Sequence, residues 1–205
     1  MSTAALLSPA LLLLLGLLLP LTASAESMIS VDLGYCATNS ESFGQGFTYG
    51  IGVTEGQGKF GFALTAIRLS NAAPRVLWGL DPEGKPIKVD LEETVNDFMM
   101  TFLGTYHLNE AGRVNHFLLG VGPQVHFLSS SLENSSIKWS ARDYRLGLTG
   151  FFRYYRRIEM FGRTSLALSA SLSHVMSVAS RTDQYEPPTH GWNLFTVTLG
   201  IAFPF

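Results

Sequence analysis

Charged residues are scarce in this sequence: Asp, Glu, Lys and Arg make up only 15% of its 205 residues. The formal net charge is −2, so we expect no basic surface of the kind that binds nucleic acid. Cys36 is the single cysteine, which excludes an internal disulfide framework. No Gly-x-Ser-x-Gly, His-Glu-x-x-His or phosphate-loop signature occurs, so no motif indicates an enzyme class.

Only one long apolar run is present, and it lies at the start of the chain. The first 25 residues carry no charged side chain, pass through "ALLLLLGLLLPL" and end at Ala23-Ser24-Ala25, the small-x-small pattern that signal peptidase cleaves. The run has about a dozen residues, fewer than the roughly 20 that a membrane-spanning helix needs. We therefore predict a signal peptide over residues 1–25, cleaved after Ala25, followed by a single domain over residues 26–205.

The end of the chain, "TVTLGIAFPF", separates large from small side chains. Phe205, Phe203 and Ile201 share one parity with other large apolar residues, whereas Ala202 and Gly200 have the opposite parity. A soluble sheet presents polar and charged residues to water, yet neither face of this segment carries a charge. The large face is therefore predicted to contact lipid, and the small face to line an interior.

The same alternation recurs in windows of about ten residues, which is the length of a tilted strand that crosses a bilayer. One window, for example, sets Phe47, Tyr49 and Ile51 against Gly46 and Gly50. This pattern predicts eight antiparallel strands in an all-β, transmembrane up-and-down barrel. The windows are 28–37, 43–54, 60–65, 97–108, 116–127, 143–154, 165–173 and 195–205.

The links between the windows differ in length. Those after the second, fourth and sixth windows are short, and those after the third, fifth and seventh are long, as in barrels with periplasmic turns and extracellular loops. The first long loop, residues 70–96, is acidic and contains "DLEE", which predicts one short helical turn. Its carboxylates either bind divalent cations at a lipopolysaccharide surface or are simply solvated, and solvation is the favoured interpretation.

Aromatic residues near the window ends predict the interfacial girdles of a membrane barrel. With the signal peptide, the alternating strands and the terminal Phe205, they make the sequence resemble small eight-stranded outer-membrane barrels of the OmpX and OmpA transmembrane-domain kind. The resemblance implies that the barrel-assembly machinery reads Phe205, Phe203 and Ile201. It also implies a monomer in the bacterial outer membrane, in contact with lipid and lipopolysaccharide, without cofactor or metal. The predicted girdle residues are Tyr35, Phe43, Tyr106, Tyr144, Tyr154, Tyr155, Trp192 and Phe205.

Polar side chains with inward parity form the candidate functional site. An eight-stranded barrel leaves an interior barely wide enough for side chains, and buried charges persist only when they are partnered. The set therefore predicts a plug of paired groups, and a proton, ion or small-solute path is the alternative. His107 and His116 flank a short turn and predict a hydrogen-bonded pair more than a metal site. The set comprises Asp32, His107, His116, Gln124, His126, Asp143, Arg145 and Arg153.

Two other functions are compatible with parts of the pattern. His174, Ser177 and "HGWN" distantly resemble the PagL-type lipid A deacylases, but the Ser is three residues from the His and no acid follows Glu186 in the last strand. A lipocalin-like soluble barrel would need a polar exterior, which the Gly-rich faces do not provide. The favoured function is therefore not enzymatic: a structural or surface-interaction role, carried by extracellular loops.

Overall fold

The chain forms a closed barrel of eight antiparallel strands, in which each strand pairs with its neighbours in chain order. The computed structural model describes residues 26–39, 44–80, 83–109, 114–133, 138–158, 162–176 and 191–205. The predicted signal peptide, residues 1–25, lies outside the described residues. The strands are β1 (Glu26–Thr38), β2 (Gln45–Gln57), β3 (Phe60–Leu80), β4 (Pro86–His107), β5 (Asn115–Glu133), β6 (Lys138–Arg157), β7 (Ser165–Val175) and β8 (Trp192–Pro204).

Closure of the barrel depends on pairing between the first and last strands. Met28 on β1 lies opposite Pro204 on β8, and the pairing continues to Thr38 opposite Leu194. Closing the sheet removes the free edges that hydrocarbon could not hydrogen-bond. The predicted fold class, an all-β antiparallel barrel of eight strands, is confirmed. Within the described residues, no helix is long and apolar enough to cross a membrane.

The strands alternate between an exposed apolar exterior and a buried interior. On β8, Leu199 is 53% exposed, whereas Ala202 on the opposite parity is fully buried. On β1, Leu33 is 64% exposed and Asp32 only 2%. Burial on β8 alternates strictly from Trp192 to Phe203. The distribution of apolar side chains is therefore the reverse of that in a water-soluble sheet, because the large apolar side chains face outward.

Two aromatic pairs on the outer wall mark the height of the apolar exterior. Phe117 stacks on Tyr154 with ring centroids 4.8 Å apart, and Phe127 contacts Tyr144 edge-on at 5.6 Å. The pairs lie ten residues apart on β5 and on β6 (127 − 117 and 154 − 144). Ten residues extend about 34 Å along a strand, and a tilt of roughly 40° reduces this to about 26 Å of height. That height matches the apolar band of transmembrane barrels, which is about 25 Å tall.

The acidic loop predicted over residues 70–96 was wrong, as was the helical turn at "DLEE". β3 continues to Leu80, β4 begins at Pro86, and the two strands pair along this whole stretch. The link after β5 is short for the same reason, since β6 already begins at Lys138. Extended pairing satisfies the backbone groups that a long loop would leave to water. Alternation within the extensions of β4, β5 and β6 was obscured by their charged and polar residues.

The barrel therefore has two unlike ends. The terminal end carries residues 26 and 205 and the turns after β2, β4 and β6, and the hairpin end carries the links after β1, β3, β5 and β7. β3 to β6 have 19 to 22 residues, against 11 to 13 in the other four strands. A crossing takes only about 9 to 11 residues, so β3 to β6 extend well beyond the apolar band at the hairpin end.

Five of the eight predicted girdle residues lie on the outer wall, and the prediction is wrong for two others. Tyr35, Tyr106, Tyr144 and Phe205 are exposed on the outer wall. Tyr155 and Trp192 are instead buried in the interior, with exposures of 2% and 3%. Both were assigned by their nearness to a strand end, whereas strand parity turns them inward. Tyr154 is half-buried on the outer wall, and Phe43 lies outside the described residues.

Candidate functional site in the barrel interior

A fully buried arginine occupies the middle of the interior. Arg153 on β6 donates from Nη2 to Asp32 Oδ2 on β1 at 2.7 Å, and from Nε to Ser169 Oγ on β7 at 2.6 Å. Its Nη1 donates to Ser30 Oγ at 2.9 Å and approaches Tyr155 Oη at 3.3 Å. A charge is stable in a low-dielectric interior only with such a counter-charge and several hydrogen bonds. The network fastens β6 to β1 and β7 through the inside of the barrel.

Small residues on the facing strands make room for this network. A Cβ at Gly200 on β8 would overlap Asp32 Oδ1 and would stand 2.5 Å from the Val31 carbonyl oxygen. A Cβ at Gly52 on β2 would lie 2.9 Å from Ser30 Oγ and 3.3 Å from Arg153 Nη1. Part of the Gly-rich inner face is therefore space that the buried ion pair requires.

A second polar cluster lies nearer the hairpin end. His126 Nδ1 lies 2.7 Å from Asp97 Oδ2, and His126 Nε2 lies 3.1 Å from Gln124 Oε1. Gln124 Nε2 donates to the Thr101 hydroxyl at 3.0 Å, which directs the amide oxygen towards the imidazole. Both ring nitrogens of His126 therefore lie within hydrogen-bonding distance of a side-chain oxygen. The cluster links β4 to β5 through the inside of the barrel.

Arg145 extends this cluster towards the hairpin end. Its Nε donates to Asp143 Oδ2 at 2.5 Å, and its guanidinium lies 5.9 Å from the Trp192 ring centroid. Trp192 packs with Val95, Leu128 and Val175 in an apolar cluster. Arg145 is 1% exposed and Asp143 14%, so the acid is the partner nearer to solvent. Arg145 therefore contacts both a carboxylate and an aromatic ring.

A histidine pair occupies the terminal end. His107 Nδ1 lies 2.7 Å from His116 Nε2, and the rings stack with centroids 4.8 Å apart. A Cβ at Gly56 would overlap the His107 ring, so glycine is needed beside it. The His116 ring also stacks on Tyr155 at 5.8 Å. Among the described residues, no group of three or more His, Cys, Asp or Glu side chains is arranged to hold a metal ion.

A small cavity lies between the Arg153 network and the cluster that contains Gln124 and His126. Its volume is about 20 Å³, and its lining combines polar residues with apolar ones: Thr65, Gln124, Thr149, Arg153 and Ser171, and Ile67, Met99, Leu103 and Phe151. A cavity that accommodates a water needs at least about 10 to 15 Å³ of such volume and polar partners. This cavity therefore has room for about one water molecule.

The structure places the eight inward polar residues in four contact pairs. These pairs are Asp32 with Arg153, Gln124 with His126, His107 with His116, and Asp143 with Arg145. Asp97, Tyr155 and Trp192 were missed because they had been assigned to the edge of the acidic loop or to the girdles. Continuing the inward parity of β4, β6 and β8 by one or two steps would have found all three.

The two remaining candidate sites lie on the outer wall. Phe205, Phe203 and Ile201 are exposed on the outward parity of β8, and the Phe205 N–H donates to the Ser27 carbonyl oxygen at 3.1 Å. His174 also faces outward, and its Nδ1 lies 2.9 Å from Asn193 Oδ1 on β8. Ser177 and Glu186 lie outside the described residues.

Several solved structures share this architecture. Neisserial surface protein A superimposes with a TM-score of 0.55 at 12% identity, over 89% of this chain and 99% of that one. A major outer membrane protein from Thermus thermophilus gives a TM-score of 0.59 at 15% identity, over 87% and 99%. The attachment invasion locus protein Ail of Yersinia pestis, in complex with the heparin analogue sucrose octasulfate, gives 0.50 at 11% identity, over 88% and 99%. No protein-family model and no curated protein matches the sequence.

These similarities define the class of fold. The chain has the architecture of small eight-stranded outer-membrane β-barrels, as its sequence pattern predicted. At 11 to 15% identity the similarity concerns the fold alone. Function therefore has to be argued from this chain's own side chains.

Proposed function

We propose that this protein is an integral protein of the bacterial outer membrane, with an occluded interior and a structural or surface-interaction role exercised at its hairpin end. The membrane location is supported by the apolar exterior, about 26 Å tall between its aromatic pairs. The hairpin end faces the cell exterior in this proposal, because outer-membrane barrels have their longer connections outside and their short turns in the periplasm.

The observation that carries the occluded interior is the buried Arg153–Asp32 ion pair, 2.7 Å long and only 2% and 3% exposed. A hydrated ion would have to replace the hydrogen bonds that join β6 to β1 and β7 there. The cavity beside the pair, about 20 Å³, has room for about one water molecule, which supports an occluded interior. Transport is therefore the less well supported function. The parts of the protein available to partners are the extensions of β3 to β6 at the hairpin end. A surface role agrees with the name of Ail, which refers to attachment and invasion.

The direct test combines fractionation with conductance. The protein should sediment with outer membranes, resist carbonate extraction, and migrate faster on gels before boiling than after it. The purified, folded protein should then show no large stable conductance in planar bilayers. Recovery as a soluble periplasmic protein would contradict the membrane proposal, and steady porin-sized channels would contradict the occluded interior.

A further inference from the structure

An exposed arginine interrupts the apolar exterior at the hairpin end. The outward positions of β3 are Phe60, Phe62, Leu64 and Ala66, and the next outward residue is Arg68. Its Cα partners are two aromatic residues, Tyr49 on β2 and Phe98 on β4. On the outward face of β3, Arg68 is thus the first ionised side chain beyond the apolar band. A guanidinium at this depth of a membrane needs an anionic or strongly polar partner.

Neighbouring side chains hold this guanidinium but leave most of its donors available. Arg68 Nη2 donates to Asn96 Oδ1 at 3.2 Å, and Ser70 Oγ donates to the same oxygen at 2.9 Å. Because both bonds use Oδ1, the amide NH₂ of Asn96 stays available beside the remaining N–H groups of Arg68. Among the described residues, no carboxylate forms an ion pair with Arg68. The group is therefore a cluster of donors with unbalanced positive charge.

A second outward arginine lies on β6, one outward step nearer the hairpin end than the row that joins Arg68 to Tyr144. Arg142 on β6 is exposed and is the next outward residue after Tyr144 towards the hairpin end. It lies opposite Ser129 on β5, which lies opposite Asn96 on β4, so polar residues connect the two arginines across the wall. Two arginines at the boundary of one apolar band, without described carboxylate partners, indicate recognition of anions at that boundary.

We propose that Arg68, oriented by Asn96 and Ser70, binds a phosphate group of a glycolipid in the outer leaflet. The planar guanidinium donates two parallel N–H bonds to phosphate oxygens, which gives both geometry and charge complementarity. A lipid is the source because Tyr49 and Phe98 flank the arginine, so acyl chains attached to the phosphate would pack on the apolar wall. This inference rests on the proposed membrane location with the hairpin end outside.

Binding of purified lipid A to the folded barrel in detergent micelles tests the proposal. Arg68→Gln is compared with Lys85→Gln, which removes the same charge from the exposed β3–β4 link, where Lys85 pairs with Glu83 at 2.9 Å. We expect Arg68→Gln to raise the apparent Kd for bisphosphorylated lipid A about tenfold, because the substitution removes a charge-assisted hydrogen bond to the phosphate. Lys85→Gln should leave it unchanged, and dephosphorylated lipid A should bind both variants equally weakly.

The faster migration of the unboiled protein on gels reports folding of the barrel, so it distinguishes a loss of lipid binding from a loss of folding. Equal binding by folded Arg68→Gln and Lys85→Gln variants would overturn the lipid site and leave the membrane location intact. Displacement of lipid A by inorganic phosphate at an equal phosphate concentration would overturn the choice of a lipid as the source. A wild-type protein that never gives the shifted band would instead contradict the proposed function. If Arg68→Gln lost the shift, Asn96→Ala, expected to weaken binding in the same direction, would decide the question.

Discussion

Arg153 on β6 and Asp32 on β1 form an ion pair across the interior between strands that are not neighbours in the sheet. The pair joins the first strand to the wall formed by the sixth, independently of the seam between β1 and β8. Since both groups are almost completely buried, their energetics differ from those of surface ion pairs. Removing one partner would leave an uncompensated charge inside the barrel.

We therefore expect strong coupling between these two residues. Arg153→Met or Asp32→Leu alone should lower the free energy of unfolding by about 3 to 5 kcal/mol, and the double variant by less than the sum of the two. Equilibrium unfolding in urea, followed by the gel shift in a double-mutant cycle, measures this coupling. Glu83→Gln, which removes an exposed partner of Lys85, is the control and should change almost nothing. Additive effects of the two interior variants would contradict the coupling.

Close approach of the backbone to this pair gives a second prediction. Gly200→Ala should hinder folding strongly, because the added Cβ would overlap Asp32 Oδ1 and would stand 2.5 Å from a backbone oxygen. Gly150→Ala is the matched control, since a Cβ there meets nothing within 4 Å. The fraction of protein that refolds into detergent micelles, measured by the gel shift, should drop for Gly200→Ala only. Equal refolding of both variants would mean that the strands separate easily at Gly200.

Strand number, parity and closure were predictable from the sequence because a membrane forces large side chains outward and small ones inward on every strand. The lengths of β3 to β6 were not, because beyond the apolar band outward positions such as Glu92, Ser129 and Arg142 are polar and the alternation loses its contrast. Leu91, Glu93 and Val95 are all buried on one face of the β4 extension, so burial there does not follow polarity. The polar contacts were also not predictable, because parity places Arg153 and Asp32 inside without identifying them as partners.

The enzymatic alternative makes a separate prediction about His174. This residue faces outward beside Asn193, and an esterase relay would need an activated nucleophile and an acid within hydrogen-bond reach. We expect overexpression of the protein to leave the lipid A mass spectrum unchanged, both for the wild type and for His174→Ala. Loss of one acyl group from lipid A in the wild type, abolished in His174→Ala, would replace the proposed function with deacylation.

The last prediction concerns the assembly role of the terminal strand, which rests on resemblance to other barrels. Phe205 is 58% exposed, so its side chain adds little packing within the protein, and loss of its lipid contacts removes at most about 1.5 to 3 kcal/mol. Phe205→Ala should therefore refold from urea with a normal gel shift. In cells it should insert more slowly and be degraded more in the periplasm, if the assembly machinery reads this residue.

Phe195→Ala is the matched control for this effect. Phe195 lies on the same outward face of β8 and is 50% exposed, but it stands at the opposite end of the strand. The two variants thus lose a similar lipid-facing aromatic area, and only one changes the chain terminus. Pulse-chase labelling with outer-membrane fractionation compares their rates of insertion. Slower insertion of Phe205→Ala alone would support a terminal assembly signal, whereas equal slowing would reduce Phe205 to one more lipid-facing side chain.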